Sequence, residues 1–343
     1  MKVNELNNIN LPSKKEEEYL KVDFEKLFTK SFKKIEKHQL DIMGLEIYLD
    51  ERNYDSKLFE VVKTLDNETK VLRITSNTLE PIFLVHKLND EETLFTNNLE
   101  IVIEENIKAQ VVEVFATNTN SSYSVLRNIS LGNDSEFEYV KVQDYAQDAS
   151  LNYNLNINQG QNSKLNITNF EFGNGLSINE YVNHIKEKNC TYNLNGLVKL
   201  SNNANSSNLI KTVHENENST SDINFKHTLK DSSKAVFKAK SIVNEQGIGS
   251  KAFQNSNTIL LSNDAEIFAQ PHLEIKIDEL EASHGTTTGT LDKEQLLYLQ
   301  SRGINKDKAY EILLDAFEQH IYSCVENEDI QEFLKTYKRE SYV

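Results

Sequence analysis

Cysteine is nearly absent: Cys190 and Cys324 are the two in 343 residues, far apart and in no CxxC spacing. Neither a disulfide framework nor a cysteine zinc site can be built from them, and such usage suits a reducing compartment. Glycine and proline are scarce, at 11 and 3, which argues against a collagen-like or proline-rich disordered chain. No apolar run reaches membrane-spanning length, and Met1 to Glu18 holds no apolar core of a secretory leader. A soluble, cytoplasmic protein with no membrane contact is expected. Cations are outnumbered, 37 Lys and Arg against 53 Asp and Glu, for a net charge of −16. That balance argues against a nucleic-acid binder driven by phosphate neutralisation, though it leaves room for a locally basic patch. Catalytic signatures are missing too. There is no Walker A run, no GxGxxG after a strand and no GxSxG, and the eight histidines include no metalloprotease pair. The expectation is that the chain is no enzyme.

What is present is alternation. Leu20, Phe24, Leu27, Phe28 and Ile35 recur at helical spacing and predict an N-terminal helix. From Leu45 to Ile107 the period drops to two, in Leu45–Leu49, Val71–Ile74 and Ile101–Glu104, which predicts half-buried strands. Similar short segments then begin at Ala109, Ser135, Ser163 and Cys190, a step of 26 to 28 residues. A steady period built from short strands predicts a solenoid, because each coil can bury its apolar face only against its neighbours. Asparagine, abundant at the expected turns, tolerates left-handed backbone and can stack into ladders. The fold predicted is mainly β: a right-handed parallel β-helix over residues 76–285. A helical and mixed region, 1–75, precedes it, and a helical region, 286–343, follows. A β-sandwich is the competing architecture.

Past Gly289 the pattern turns helical. Asp292 with Gln295 has capping-box spacing, Gly303 suits a helix end, and Asn305 can cap a second helix. Ala309, Ile312, Leu313, Ala316, Phe317, Ile321 and Cys324 then form one apolar stripe. It either seals the last coil or docks a partner, and both roles can coexist. Just before lies Ala282-Ser283-His284-Gly285-Thr286-Thr287-Thr288-Gly289. A histidine beside a glycine at such a change of structure is a candidate site, although a lone His is more often a surface or core residue. The threonine run reads as a turn ending a strand.

Pro271-His272-Leu273-Glu274-Ile275, Ser283-His284-Gly285-Thr286-Thr287, Leu291-Asp292, Tyr298-Leu299 and Ser301-Arg302-Gly303-Ile304 together resemble the closing signature of the SufB/SufD family. These are scaffold proteins of iron–sulfur cluster assembly. The likeness runs back to Val213-His214-Glu215, and Leu11-Pro12 with the acidic run and Tyr19 resembles the opening of SufD chains. SufD-type chains carry His at the position of His284 where SufB-type chains carry Glu, and residues 255–261 lack the cysteine that SufB supplies there. Both point to the SufD branch. One departure is Ala282, where many SufD chains have Cys.

The resemblance implies a subunit that pairs with a SufB-like paralogue through the ends of their β-helices. It also implies binding of a SufC-like ABC ATPase through the C-terminal helices, with Leu299, Arg302, Ile304 and Phe317 as docking candidates. His284 would share a transient iron–sulfur cluster, or iron, with the partner subunit. Imidazole is a good ligand for iron, but such clusters need several ligands, so His284 alone cannot hold one. Whether a flavin binds the assembled complex is left open. Two alternatives stand beside this reading: a carbohydrate-binding β-helix, and a non-enzymatic interaction protein whose His284 is inert.

Overall fold

Alternation of period two continues with little interruption from residue 68 to residue 289, and nearly all of it becomes strand. The computed structural model describes residues 2–5, 11–37, 45–54, 56–146 and 148–340, the side chains of 337–340 excepted. After two 3-10 turns come α1 (Phe24–Thr29), β1 (Lys34–Lys37), β2 (Glu46–Leu49), α2 (Lys57–Leu65) and β3 (Glu68–Ile74). Then follow β4 (Ile82–Leu88), β5 (Thr93–Ile103), β6 (Lys108–Thr117), β7 (Ser122–Leu131), β8 (Glu136–Tyr145), β9 (Ser150–Gln159) and β10 (Lys164–Gly173). The series continues with β11 (Leu176–Ile185), β12 (Thr191–Leu200), β13 (Asn205–His214), β14 (Thr220–Leu229) and β15 (Lys234–Val243). It closes with β16 (Lys251–Leu260), β17 (Glu266–Ile275), β18 (Glu281–Gly289) and the helices α3 (Lys293–Ser301), α4 (Lys306–Ser323) and α5 (Glu328–Glu340).

From β3 onward odd strands stack in a 10-stranded sheet, which β1 and β2 also join, and even strands stack in an 8-stranded one. The pairings are parallel, save β2 on β3. This is the expected parallel β-solenoid. The 26- to 28-residue step had picked out β6, β8, β10 and β12, with the odd strands falling between. One register differs: Ala109 pairs with Phe137, not Ser135. A slip of two residues keeps every side chain on its own face, so the alternation could not reveal it. The turns follow the asparagine chemistry. Asn106, Asp134, Asn162, Asn189 and Asn218 take positive φ of 55–61°, one per coil on the same edge. Asn189 donates to Asn162 Oδ1 at 2.9 Å, and Asn162 to Asp134 Oδ1 at 2.8 Å.

Inward residues of both sheets fill one lumen, including Val111, Phe115, Tyr123, Tyr153, Ile167, Leu194 and Phe225. Gly196 is required there, because a Cβ on it would sit 2.2 Å from the Phe225 ring. Outward residues need covers. On the odd sheet Leu94, Ile178, Leu209 and Val236 are buried beneath Tyr19, Phe24, Leu27 and Phe28. On the even sheet Val112, Val140, Phe170 and Leu197 are buried beneath Ile321, Tyr322, Val325, Ile330 and Leu334.

Two expectations change here. The N-terminal periodicity does not make one helix. Only Phe24–Thr29 is helical, Leu20 is exposed and Ile35 lies in β1, because the segment is laid flat on the sheet and pinned by Lys30. Lys30 Nζ donates to the carbonyls of Asn120 and Asp148 in two solenoid turns. Nor does the C-terminal stripe seal the last coil. It lies along the flank of the even sheet, where the outward residues are apolar. The outward positions of β18, among them Ser283, Gly285 and Thr287, offer a helix nothing to bury. The helices α2 and α5 lie in the regions read as helical or mixed, though neither had been placed individually.

The lumen also holds charge. Arg127 and Glu113 are both fully buried, with Arg127 Nη2 2.8 Å from Glu113 Oε1 and His86 Nε2 2.7 Å from the same oxygen. The guanidinium and the imidazole hold the Glu113 carboxyl far below its usual range against the cost of burial. One layer further, Lys141 donates to Asn179 Oδ1 at 2.5 Å and Gln143 Oε1 at 3.1 Å and lies 4.2 Å from the Tyr153 ring centroid. Burial lowers its pKa from 10.5 to about 7, with Glu171 opposing the shift. Because a folded-state pKa below the unfolded one means the unfolded chain binds more protons between them, this lysine makes stability rise from about pH 7 to about pH 10.5. Below that window its full penalty is present. Lys141→Met is therefore expected to flatten the slope of unfolding free energy between pH 7 and pH 10, read by urea denaturation at a series of pH values. The lost hydrogen bonds add only a pH-independent offset. Parallel profiles for the two proteins would mean that Lys141 does not titrate in that window.

Candidate functional site

The site is built by the last coil. β17 and β18 end their two sheets, so one row of backbone groups on each has no strand beside it among the described residues. β18 is largely exposed and β17 mostly half-buried, whereas the strands of the middle coils are buried on both faces.

His284 stands in the middle of β18, paired in register with Gln254. The column beneath runs Gln254, Ile223, Leu194, Ile167, Tyr139 and Val111, all lumen-facing, so His284 occupies the inward position at the open end of the solenoid. It is exposed because no further coil covers it. Gln254 below it is buried and donates through Nε2 to Ser241 Oγ at 2.7 Å and to the His272 carbonyl at 3.2 Å. That ties β16 to both odd strands at this level. Ala282, two residues before and facing the same way, is half-buried above Ala252. The run Gly285 to Gly289 is extended strand rather than the expected turn. Thr287 donates to Asn257 Oδ1 at 2.5 Å, so β-branched residues continue the ladder. Among the described residues, no three His, Cys, Asp or Glu side chains converge as a metal site. Both cysteines are free: Cys190 is buried in a turn, and Cys324 is partly exposed at the end of α4.

The helix α3 is the second feature. Asp292 caps it, accepting from the backbone N–H of Glu294 and of Gln295, so its start matches the spacing seen in sequence. None of its residues is buried, and Leu297 and Tyr298 are 65% and 58% exposed. Leu299 and Ile304 are half-buried where α3 turns into α4, and the Arg302 guanidinium lies 5.3 Å from the Tyr298 ring centroid. Three of the four docking candidates thus gather at one corner. The fourth does not: Phe317 lies 13 residues beyond Ile304, roughly 20 Å along α4. There Lys226 stands 4.7 Å from its ring centroid and donates to its carbonyl. Leu297 and Tyr298 were not singled out beforehand. Their signal is an adjacent apolar pair in a helix whose apolar residues share no single face.

The site is thus the open end of a parallel solenoid, with one imidazole at its last inward position and a helix standing clear of the body. Comparison with known proteins identifies the family. The family model "SUF system FeS cluster assembly, SufBD core domain" matches residues 86–317. The chain belongs to the SufB/SufD family, on its SufD branch. Iron–sulfur cluster assembly protein SufD of Bacillus subtilis is 24% identical over 298 residues, 85% of this chain and 64% of that protein. SufD of Escherichia coli is 33% identical over 107 residues, 31% of this chain and 25% of that protein. A SufBD family protein of Synechocystis is 24% identical over 286 residues, 79% of this chain and 63% of its own length. The chain spans less than two thirds of the length of each of these curated relatives.

Exposed side chains that support nothing beneath them are cheap to replace. His284→Ala and Leu297→Glu are each expected to change the unfolding free energy by less than about 0.5 kcal/mol in urea denaturation. A loss of about 2 kcal/mol or more would show that the side chain is built into the packing.

Proposed function

We propose that the chain acts as the SufD-like half of an iron–sulfur assembly scaffold, with the cluster or its iron as cargo and a SufB-like partner completing the site. The observation that carries this reading is the position of His284, inward-facing at the end of a stack whose two last strands each pair on one side only. A second β-helix could continue both sheets by parallel edge pairing, since the open backbone groups of β17 and β18 supply the hydrogen bonds. That pairing would bring residues of the partner toward the imidazole and shield it from bulk water. In neutral form the ring offers iron one nitrogen lone pair, and the remaining ligands would come from the partner, whose thiolate or carboxylate suits iron. With both cysteines free, the chain fits a reducing compartment such as the cytoplasm.

The test is reconstitution with a SufB-like partner and an ATPase, comparing iron and sulfide content for wild type and His284→Ala. The variant is expected to assemble the protein complex normally and to accumulate markedly less cluster, with partial return in His284→Cys. Equal cluster content would make the histidine structural.

The same reading gives α3 to the ATPase. Leu297, Tyr298, Leu299 and Ile304 form an apolar corner with Arg302 at its edge, and a partner covering it would desolvate whatever stands there. A charge introduced in such an interface costs several kcal/mol. Leu297→Glu and Tyr298→Glu are expected to abolish co-purification of a SufC-like ATPase while leaving the melting temperature unchanged; retention of the ATPase by the double variant would place its docking site elsewhere. Phe317, packed against the body, is expected to affect folding more than docking.

A further inference from the structure

On the outer face of the odd sheet, toward the open end, the rungs of one column read Lys211, Lys240 and His272 in direct register on β13, β15 and β17. Lys238 lies two residues from Lys240 on the same face of β15. Parallel strands are about 4.8 Å apart, and stacking like charges at that spacing is destabilising. A chain of net charge −16 has no general excess of cations to place here. Beside the column runs a groove between the sheet and the N-terminal segment, made of two cavities of about 390 and 450 Å³. Glu18, Glu180 and Lys211 line both, so the two adjoin. Together they reach the size of small-molecule sites.

The groove is a built feature. Glu180 in its floor is 3% exposed and is held by Ser56, whose hydroxyl donates to Glu180 Oε2 at 2.5 Å; Tyr19 Oη lies 3.3 Å from that hydroxyl. Burial raises the Glu180 pKa to about 8, so near pH 7 its carboxyl is neutral and offers a proton rather than a charge. Lys238 Nζ donates to the carbonyls of Glu17 and Glu18, which fixes the lysine against the rim. Glu274 pairs with Lys240 at 3.0 Å, and Glu17 and Glu18 line the same cavity, so these carboxylates match Lys211, Lys238 and Lys240 in number. The other half is different in character: Tyr54, Phe59 and Val182 line it next to Asn156 and Asn158.

We propose that this groove binds a phosphate-bearing small molecule, its phosphates over the Lys211, Lys240 and His272 column. The lysines on neighbouring strands, about 4.8 Å apart, present donors that the outer oxygens of linked phosphate groups can span, and charge-assisted hydrogen bonds would offset the repulsion between them. The aromatic half has the shape and chemistry for a ring attached to those phosphates.

The experiment is isothermal titration of the full chain with inorganic diphosphate and with ADP, at constant ionic strength and pH 7. Saturable binding at one site per chain is expected. Lys211→Met and Lys240→Met, which keep the apolar stem, are each expected to weaken it about tenfold, the loss of one charge-assisted hydrogen bond. Lys234→Met, on the same strand but paired with Glu266 outside the groove, should bind as wild type. Tighter binding of ADP than of diphosphate would add the aromatic half to the site, and equal affinity would confine it to the lysine column. Both groove variants remove repulsion, so an unchanged or raised melting temperature certifies that they are folded. No saturable heat with either probe, or equal affinities in wild type and both groove variants, would overturn the proposal.

Discussion

Each coil of this solenoid can bury its inner face only against the coils before and after it, and every other physical feature follows from that constraint. Strand residues alternate between faces, so a chain that fills a lumen must also dispose of an equal number of outward side chains. The protein covers them with its own two ends. Tyr19, Phe24, Leu27 and Phe28 close the odd sheet, and Ile321, Tyr322, Val325, Ile330 and Leu334 close the even one. Covers on both flanks explain why the middle strands are buried throughout their length. The last coil is different: the N-terminal cover reaches β17 only at Phe268, and β18 is exposed along nearly its whole length. At the C-terminal end of the stack, His284 faces inward and stays open to solvent.

The interior is not simply apolar. Glu113, Arg127 and His86 form a fully buried ionic cluster, and Tyr139 donates to the same carboxylate. Lys141 is satisfied by Asn179 and Gln143, while Glu171 accepts from Gln143, Asn169, Ser177 and Asn179. Buried ion pairs return little net stability against a hydrophobic replacement, yet breaking one is costly. In a parallel stack, where a slip of two residues changes no face, groups with so many required partners distinguish the correct register from its neighbours. The polar lumen thus answers the ambiguity that alternation leaves.

Toward the open end the inner and outer features meet. His272 turns its side chain to the lysine groove, and its carbonyl accepts from Gln254, directly beneath His284 in the ladder. Anything bound in the groove therefore contacts β17, which Gln254 ties to the strand beneath His284. The helices contribute differently: α4 and α5 bind the even sheet, while α3 keeps all its residues out of the core.

Much of this was legible in the residues. The step of 26 to 28, the turn asparagines, the caps at Asp292 and Asn305 and the family motifs around His284 are local signals, each written within a few residues. Two-residue alternation reports which face a side chain takes, and Asn in a left-handed turn reports where a coil bends, without any distant contact. What only the tertiary structure decided is which surfaces cover which. The N-terminal segment reads as an ordinary amphipathic helix until the odd sheet flattens it, and the C-terminal stripe reads as an end cap until Val112, Val140 and Phe170 claim it. The groove needs Ser56 against Glu180 and Glu17 against Lys238, pairs 124 and 221 residues apart. Such partners carry no periodicity, because burial of one surface by another depends on complementary area and charge brought together by the completed stack, and no short window of sequence contains both halves.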